Sequence, residues 1–392
     1  MPRLRLALAL AALALCVMSN LVGHIGPMGD LYSPWYGTRI MVLHHSNPYA
    51  EEVGQHIQIV YYDHILSPEE HKDEQRFAYP AYTAVLLAPI AFLEYSTVWA
   101  AGLPILMLLA AAAVFCSIRF SGWQISRTDQ WAAVLLAVST PPVIRSLRLE
   151  QLGILVVFLL AASLLALARG HLVTAGMLLA VATIKPQMAV LPVAWLLAWG
   201  LRSFSQRRVF LFSFLGSMAV LIAAPELFVR GWLFSFIHQA RAYVGYAQYH
   251  SWLSLITGDT MGNLISVAAL ALTIKAVYKH LDADAASWTF CLCSALVLGV
   301  ASFIVPTLGT LNSQMMLFPA AFILMRNFAS LDKRIRILFI ACLAWAPLVG
   351  IATFFIDNGN VRLIQMTPGF LLSCTIVVLL ALQFPKFLAA QA

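Results

Sequence analysis

The chain has 392 residues, of which 61% are apolar and only 10% are charged, and its mean hydropathy is +0.84. Soluble domains carry about 25% charged residues, so this composition excludes a water-facing globular protein. The formal net charge of +7 then reports membrane orientation rather than nucleic-acid binding. We predict an all-α polytopic membrane protein with no nucleic-acid partner.

The first apolar run covers residues 4–22 and follows Arg3 and Arg5. A basic start before an apolar run is also typical of a cleaved signal peptide. The run lacks a clear cleavage site of small residues, and the residues after it have functional character. We therefore expect it to be a retained first transmembrane helix.

A long polar first outside loop is predicted over residues 23–96, and Asp30 lies near its start. Three aromatic residues follow closely, namely Tyr32, Trp35 and Tyr36. A carboxylate in such surroundings is suited to be a general base with a raised pKa, and the rings are suited to stack on sugar faces. The alternative is that Asp30 caps a helix over residues 31–43. Taken alone, Asp30 favours the cap.

The middle of this loop contains a turn, a helix and a charged stretch. Asn47-Pro48-Tyr49 predicts the turn, and an interfacial helix is expected over residues 55–64. His64 and His71 lie among acidic residues, but no ligand spacing repeats, so a solvated loop is favoured over a metal site. The segment 79–93 is short and contains two prolines, so we expect it to enter the membrane without crossing.

Further apolar segments, each a predicted transmembrane helix, lie at 97–118, 131–148, 152–168, 172–184, 188–200, 209–224, 261–279, 286–305, 313–325, 336–355 and 365–383. With residues 4–22 they give a bundle of about 12 transmembrane helices in one multi-pass domain, residues 1–392. If 79–93 does not cross, basic residues such as Arg202, Arg207 and Arg208 fall inside. Both chain ends are then cytoplasmic, and the polar loops face the periplasmic or extracellular side of an inner (plasma) membrane.

Three basic residues remain outside, in very short links between helices: Arg145, Arg148 and Lys185. A charge at a helix end either snorkels to the membrane surface or binds a partner. The three together favour binding of an anion, and Lys185-Pro186 is suited to hold a phosphate. Glu150, in the first of these links, has the simpler interpretation of pairing with an arginine.

A second outside loop, residues 225–259, is amphipathic and rich in aromatic residues. An interfacial helix anchored by its rings is the favoured interpretation. A groove for a lipid tail beside that helix is the alternative.

Five short motifs follow one another along the chain: Gly29-Asp30, Asn47-Pro48-Tyr49, Phe77-Ala78-Tyr79-Pro80, Glu150-Gln151 and Ile184-Lys185-Pro186. In this order and topological placement they resemble glycosyltransferase family 87, the polyprenol-phosphate-mannose-dependent mannosyltransferases of the GT-C superfamily. The resemblance covers residues 1–225, and the last third only in hydropathy.

The resemblance implies a GT-C-like membrane enzyme with its active site outside. The reaction would be an inverting, metal-independent transfer of mannose or another hexose from a polyprenyl-phosphate donor to an envelope glycolipid or glycan. No cofactor is expected, and membrane lipids surround the bundle. Two departures from the family stand out: Glu150 replaces the glycine of its usual Gly-Gln pair, and residues 310–314 lack the histidine of its late corner.

The residue roles implied by the resemblance centre on Asp30 as the catalytic base. The donor phosphate is expected at Arg145, Arg148 and Lys185. The residues expected to bind substrate are Tyr32, Trp35, Tyr36, Asn47, Tyr49, Tyr79 and Gln151.

Two functions of other classes stay open, a lipid or glycan transporter or flippase and a non-catalytic scaffold in envelope assembly. The sequence has no phosphate-binding glycine loop and no nucleophile elbow. Ionisable residues are almost absent from the apolar segments, which counts against an ion-coupled carrier. Neither alternative function requires a catalytic Asp30.

Overall fold

The structure is a computed structural model that describes residues 10, 29–67, 69–70, 72–246, 252–304, 310–341, 343 and 361–389. These residues form helices and short links, and no strand occurs among them. The all-α class is thereby confirmed. Apart from Leu10, the predicted first helix at 4–22 lies outside the described residues.

The α-helices with defined bounds are, in chain order, α1 Tyr32–His44, α2 Glu51–Tyr62, α3 Tyr82–Leu86, α4 Tyr95–Phe120, α5 Arg127–Val138, α6 Pro141–Arg148, α7 Gly153–Ala168, α8 Leu172–Ala182, α9 Pro186–Arg202, α10 Phe204–Ala223, α11 Trp232–Tyr246, α12 Trp252–Thr257, α13 Asp259–Tyr278, α14 Trp288–Ile304, α15 Phe318–Arg326 and α16 Val361–Ala389. Short 3-10 helices occur at Ala88–Phe92, Ala224–Leu227, Thr310–Leu317 and Phe328–Ser330.

Within the described part of the chain, three helices are long and apolar enough to cross a membrane, at Tyr95–Phe120, Phe204–Leu227 and Asp259–Tyr278. Shorter apolar helices occur at Gly153–Ala168, Leu172–Ala182, Trp288–Ser302 and Thr375–Ala389. Each long helix exposes large apolar side chains, for example Leu108, Val220 and Leu272. Such faces suit lipid tails. These features fit a membrane protein, and the count of about 12 spans stays a prediction.

Prolines break two of the predicted apolar segments. The segment 131–148 forms two helices, α5 and α6, because Pro141 and Pro142 begin the second one. Thr140, the residue before them, is extended with ψ of 146°, as expected before proline. The segment 79–93 forms the five-residue helix α3 and the five-residue 3-10 helix Ala88–Phe92. Neither piece approaches the roughly 20 residues that a crossing helix needs.

The main apolar core lies where α4, α7, α8 and α10 pack side by side. Helix α7 is apolar on all sides, and most of its side chains are buried. Helices α8 and α10 approach closely at Gly176, where a Cβ atom would lie 2.7 Å from the carbonyl oxygen of Phe210. Only glycine permits this backbone contact, which is typical of helix packing in membranes.

Replacing Gly176 by alanine is expected to lower the free energy of unfolding by about 1–3 kcal/mol, because the added methyl group overpacks the contact with α10. Thermal unfolding of the purified protein in detergent would measure the effect. Gly216→Ala is the matched control, since a Cβ atom at that helical glycine meets nothing within 4 Å. Equal melting midpoints for the two variants would contradict the proposed packing.

The link between α13 and α14 is fastened to the start of α10 by Arg207. Its guanidinium donates hydrogen bonds to the carbonyl oxygens of Leu281 at 2.7 Å and Asp282 at 2.8 Å. It also lies 3.9 Å from the centroid of the Trp199 ring. This cluster stands at the C-terminal end of α9, whereas Lys185 stands at the N-terminal end. The Arg207 cluster and Lys185 therefore lie at opposite ends of α9.

A second, smaller apolar cluster joins α1 and α2 to the start of α4. It contains Tyr32 and Trp35 of α1 together with Ile57 of α2 and Val98 of α4. The Trp35 indole nitrogen donates to the carbonyl oxygens of Ile90 and Leu93, each at 3.2 Å. The cluster thus packs α1 and α2 against the start of α4, next to the turn that precedes α1.

Candidate active site

The turn at Gly29 and Asp30 is held from two sides. The Asp30 backbone N–H donates to the carbonyl oxygen of Leu149 at 2.7 Å, and the Tyr61 hydroxyl donates to the Gly29 carbonyl oxygen at 2.6 Å. The N-cap residue of α1 is Leu31, whose side chain makes no capping hydrogen bond. The structure therefore does not place Asp30 at the N-cap position that the capping hypothesis assigned to it.

The Asp30 carboxyl group lies in a buried corner with charged neighbours from distant parts of the chain. Its pKa is raised to about 6, chiefly by burial and also by the charge of Asp73. Lys185 and Arg145 oppose this rise. Of the three predicted cations, Lys185 and Arg145 thus act on Asp30.

Lys185 precedes α9 and is 9% exposed. Its Nζ donates to Oε1 of Gln151 at 2.6 Å and lies 5.7 Å from the centroid of the Tyr79 ring. Burial lowers the pKa of Lys185 to about 8, and the nearby Asp30 carboxylate opposes this fall. The structure therefore brings together Asp30, Tyr79, Gln151 and Lys185.

Asn47 and Tyr49 hold the backbone of Tyr79 through a chain of two hydrogen bonds. The Tyr49 hydroxyl donates to the Tyr79 carbonyl oxygen at 2.7 Å. Asn47 Oδ1 accepts from the Tyr49 backbone N–H at 3.0 Å, as the predicted turn requires. Asn47 Nδ2 also donates to the Ser235 hydroxyl of α11 at 3.4 Å. Both residues thus connect the first loop to the site, and their binding of substrate stays a prediction.

The three predicted sugar-stacking rings differ in accessibility. Tyr32 and Trp35 are buried in the second apolar cluster. Tyr36 is half-buried and stacks on His56, with 4.3 Å between ring centroids. Tyr36 therefore presents the most accessible ring of the three.

Two residues of the site escaped the sequence interpretation. Asp73 belongs to the stretch expected to be a solvated loop, yet burial raises its pKa, and its Oδ1 accepts from the Gln75 backbone N–H at 2.9 Å. Tyr243 of α11 interacts electrostatically with Asp30 and Asp73, and burial raises its pKa. The only signals were a charge run and an aromatic-rich loop, and neither specifies a partner.

Glu150 does not pair with an arginine. Its side chain is 2% exposed, and neither carboxylate oxygen has a hydrogen-bond partner among the described residues. Its backbone is left-handed, with φ of 49°. The pairing hypothesis is wrong, and a buried carboxyl group of this kind requires another explanation.

The exposed part of the charged stretch forms ion pairs. Glu70 pairs with His64 at 2.9 Å and with Lys72 at 2.8 Å. Among the residues that the structure describes, no three histidine, cysteine or acidic side chains are grouped to hold a metal ion. His71 lies outside the described residues.

The corner thus combines a proton acceptor with cations. A carboxyl group with a pKa near 6 is ionised at neutral pH and basic enough to accept a proton from a reacting hydroxyl group. Lys185 and Arg145 are suited to bind a phosphate. This combination suits group transfer from a phosphorylated donor to a hydroxyl group.

Comparison with known proteins gives one family. The model of glycosyltransferase family 87 matches residues 77–302, more than half of the chain. The match contains Tyr79, Arg145, Gln151 and Lys185, and it begins after Asp30. It extends further towards the C-terminus than the five motifs do. No curated protein matches the chain.

Proposed function

The chain belongs to glycosyltransferase family 87, and from this premise we propose that it moves a hexose, mannose being the first choice, from a polyprenyl-phosphate donor to a hydroxyl group of an envelope glycolipid or glycan. The observation that carries this proposal is the buried corner where the Asp30 carboxyl group meets the charges of Lys185 and Arg145. A lipid-linked phosphate donor suits an enzyme built from apolar helices, because donor and protein share the bilayer.

In the proposed reaction, Asp30 accepts the proton of the acceptor hydroxyl group as its oxygen attacks the anomeric carbon. The bond from that carbon to the phosphate oxygen breaks, and polyprenyl phosphate leaves with the electron pair. Attack opposite the leaving group inverts the anomeric centre. Lys185 and Arg145 stabilise the charge on the departing phosphate, so we propose that transfer requires no divalent metal.

The proposed location is the outer face of the inner (plasma) membrane. The basic residues Arg202, Arg207 and Arg208 lie around the C-terminal end of α9, and Lys185 lies at its N-terminal end. If the basic end is cytoplasmic, as the positive-inside rule favours, the Asp30 corner faces the periplasm or exterior. An acceptor in the cell envelope would be accessible from that side.

The direct test is the release of polyprenyl phosphate from polyprenyl-phosphate-mannose by the purified protein, with crude envelope glycolipids as acceptors. We expect release that depends on the acceptor and persists in a metal chelator. Parallel reactions with other polyprenyl-phosphate hexoses identify the sugar. Absence of release with every donor would contradict the proposal, and movement of an unmodified donor across vesicles would support a flippase.

The pH dependence provides a second expectation. Because burial raises the pKa of Asp30 to about 6, the group is protonated and inactive below that pH. We expect kcat/KM for the donor to rise about tenfold for each pH unit below about 6. Initial rates across this range would measure the rise. A rate independent of pH between about 5 and about 7 would argue against Asp30 as the base.

A further inference from the structure

Glu150 combines a strained backbone with a buried side chain. Its φ of 49° lies in the left-handed region, which is unfavourable for a residue with a Cβ atom. Such conformations persist where the surrounding contacts hold them, and they are frequent at functional sites. The residue directly follows Leu149, whose carbonyl oxygen accepts the backbone N–H of Asp30.

The side chain of Glu150 fills the space between two glycines. Its Cβ and Cγ atoms would each lie 3.3 Å from a Cβ atom added to Gly29, and its Oε1 would lie 3.0 Å from one added to Gly102 of α4. A methyl group of Leu31 also borders this space. Glu150 is therefore a wedge between the turn that carries Asp30 and the long apolar helix α4.

Several titratable or charged groups surround this wedge. Tyr95 of α4 interacts electrostatically with Glu150. Asp30 adjoins Gly29 in the turn, Tyr61 of α2 donates to the Gly29 carbonyl oxygen, and Arg145 and Arg148 of α6 precede Glu150 in the chain. Burial raises the pKa of Glu150 to about 7. The carboxyl group is thus uncharged in slightly acidic solution and becomes an unpaired buried anion as the pH rises.

We propose that Glu150 is a positioning residue for Asp30. In its uncharged form the carboxyl group of Glu150, which lies between Gly29 and Gly102, keeps the catalytic turn against α4. Ionisation of Glu150 loosens that turn. This inference rests on the proposed transferase function. It deepens that function by requiring opposite charge states at two neighbouring carboxyl groups. Asp30 must be ionised to accept a proton, whereas Glu150 must be neutral to hold Asp30 in place.

The predicted consequence is an activity that falls on the alkaline side. For the wild-type enzyme, kcat is expected to decline as the pH passes about 7, where Glu150 ionises. In Glu150→Gln the side chain keeps its shape and cannot ionise. In this variant the decline in kcat should begin only at about pH 8, where Lys185 loses its charge.

The sign of the stability effect follows from linkage. Since burial raises the pKa of Glu150 from 4.5 to about 7, its stabilising contribution is complete below 4.5 and is lost as the pH rises through about 7. As the pH rises from 4.5 to about 7, the melting midpoint of Glu150→Gln should therefore increase relative to that of the wild type. Asp30 titrates in both proteins, so it does not affect the difference.

The experiment compares the full-length wild type, Glu150→Gln and Glu150→Gly in detergent. We expect Glu150→Gln to retain wild-type kcat near pH 6, within about twofold, and to lose the decline near 7. Glu150→Gly, which relaxes the backbone but removes the wedge, should lower kcat about tenfold with little change in donor KM, since misplacement of a catalytic group acts on the chemical step. Identical alkaline limbs for wild type and Glu150→Gln would overturn the inference.

The two proposals fail in different ways. If the wild type releases polyprenyl phosphate but its pH profile has the same alkaline limb as that of Glu150→Gln, only the proposed role of Glu150 is contradicted. If the wild type releases none, the transferase proposal falls, and the melting midpoints still decide whether the wedge ionises. A midpoint gap that grows towards pH 7 then supports the wedge, and a constant gap overturns it.

Discussion

Asp30→Asn is expected to lower kcat for hexose transfer about a thousandfold, the range over which a general base contributes. The amide has the shape of the carboxyl group but cannot accept the proton of the acceptor hydroxyl. The backbone bonds that hold the turn, to Leu149 and from Tyr61, do not involve the side chain. Donor KM should therefore change little, and the turn should keep its position.

Stability separates this loss of chemistry from misfolding. Because burial raises the pKa of Asp30 to about 6, its ionisation in the folded state is unfavourable, and the contribution of the neutral form is lost as the pH rises through about 6. An asparagine does not ionise. At pH 7 the variant should melt at the same temperature as the wild type or higher.

Asp63→Asn is the matched control for this substitution. Asp63 directly follows α2, is exposed and has a left-handed backbone with φ of 62°, which asparagine adopts readily. The control should keep both activity and stability. Turnover retained in Asp30→Asn would remove Asp30 from the mechanism and direct attention to Asp73, the neighbouring buried carboxyl group.

The site was partly predictable because links at the same end of a helix bundle lie close together. Asp30 and Lys185 are distant in sequence, yet each follows an apolar segment, and the two segments are predicted to end on the same side. Their types, an acid near aromatic residues and a lysine before proline, indicated the chemistry. Composition and hydropathy sufficed for the all-α class in the same way.

The remainder depends on packing that short motifs do not encode. The Trp35 indole bonds to the carbonyl oxygens of Ile90, in a 3-10 helix, and of Leu93, directly after that helix, both more than 50 residues away. Its ring is therefore buried and not open to a sugar. The roles of Asp73 and Tyr243 required the docking of two loops against each other. Glu150 suggested an ion pair because arginines are its neighbours in sequence, whereas its left-handed backbone directs the side chain towards Gly102.

The second large effect is expected for Lys185→Met, which retains an unbranched side chain of similar length and removes the charge. We expect kcat/KM for the donor to fall about a hundredfold, the loss typical when one preorganised donor to a developing negative charge is removed. The hydrogen bond from Nζ to Gln151 is also lost. Lys275→Met, at an exposed position near the other end of the molecule, is the matched control and should retain wild-type kinetics.

The pH profile of the same variant tests whether Lys185 acts on Asp30 as well as on the donor. Lys185 is the largest influence that lowers the pKa of Asp30, so its removal should raise that pKa above about 6 and shift the acidic limb of activity upwards. Without Lys185 the Asp30 carboxylate lacks its main counter-charge, so at pH values above 6 the Lys185→Met variant should have a lower melting midpoint than the wild type.

Adding Asp30→Asn to Lys185→Met should remove this decrease in melting midpoint, since the effects of coupled residues are not additive. An acidic limb that stays in place, with additive midpoints, would show that the two side chains act independently and that Lys185 serves the donor phosphate alone.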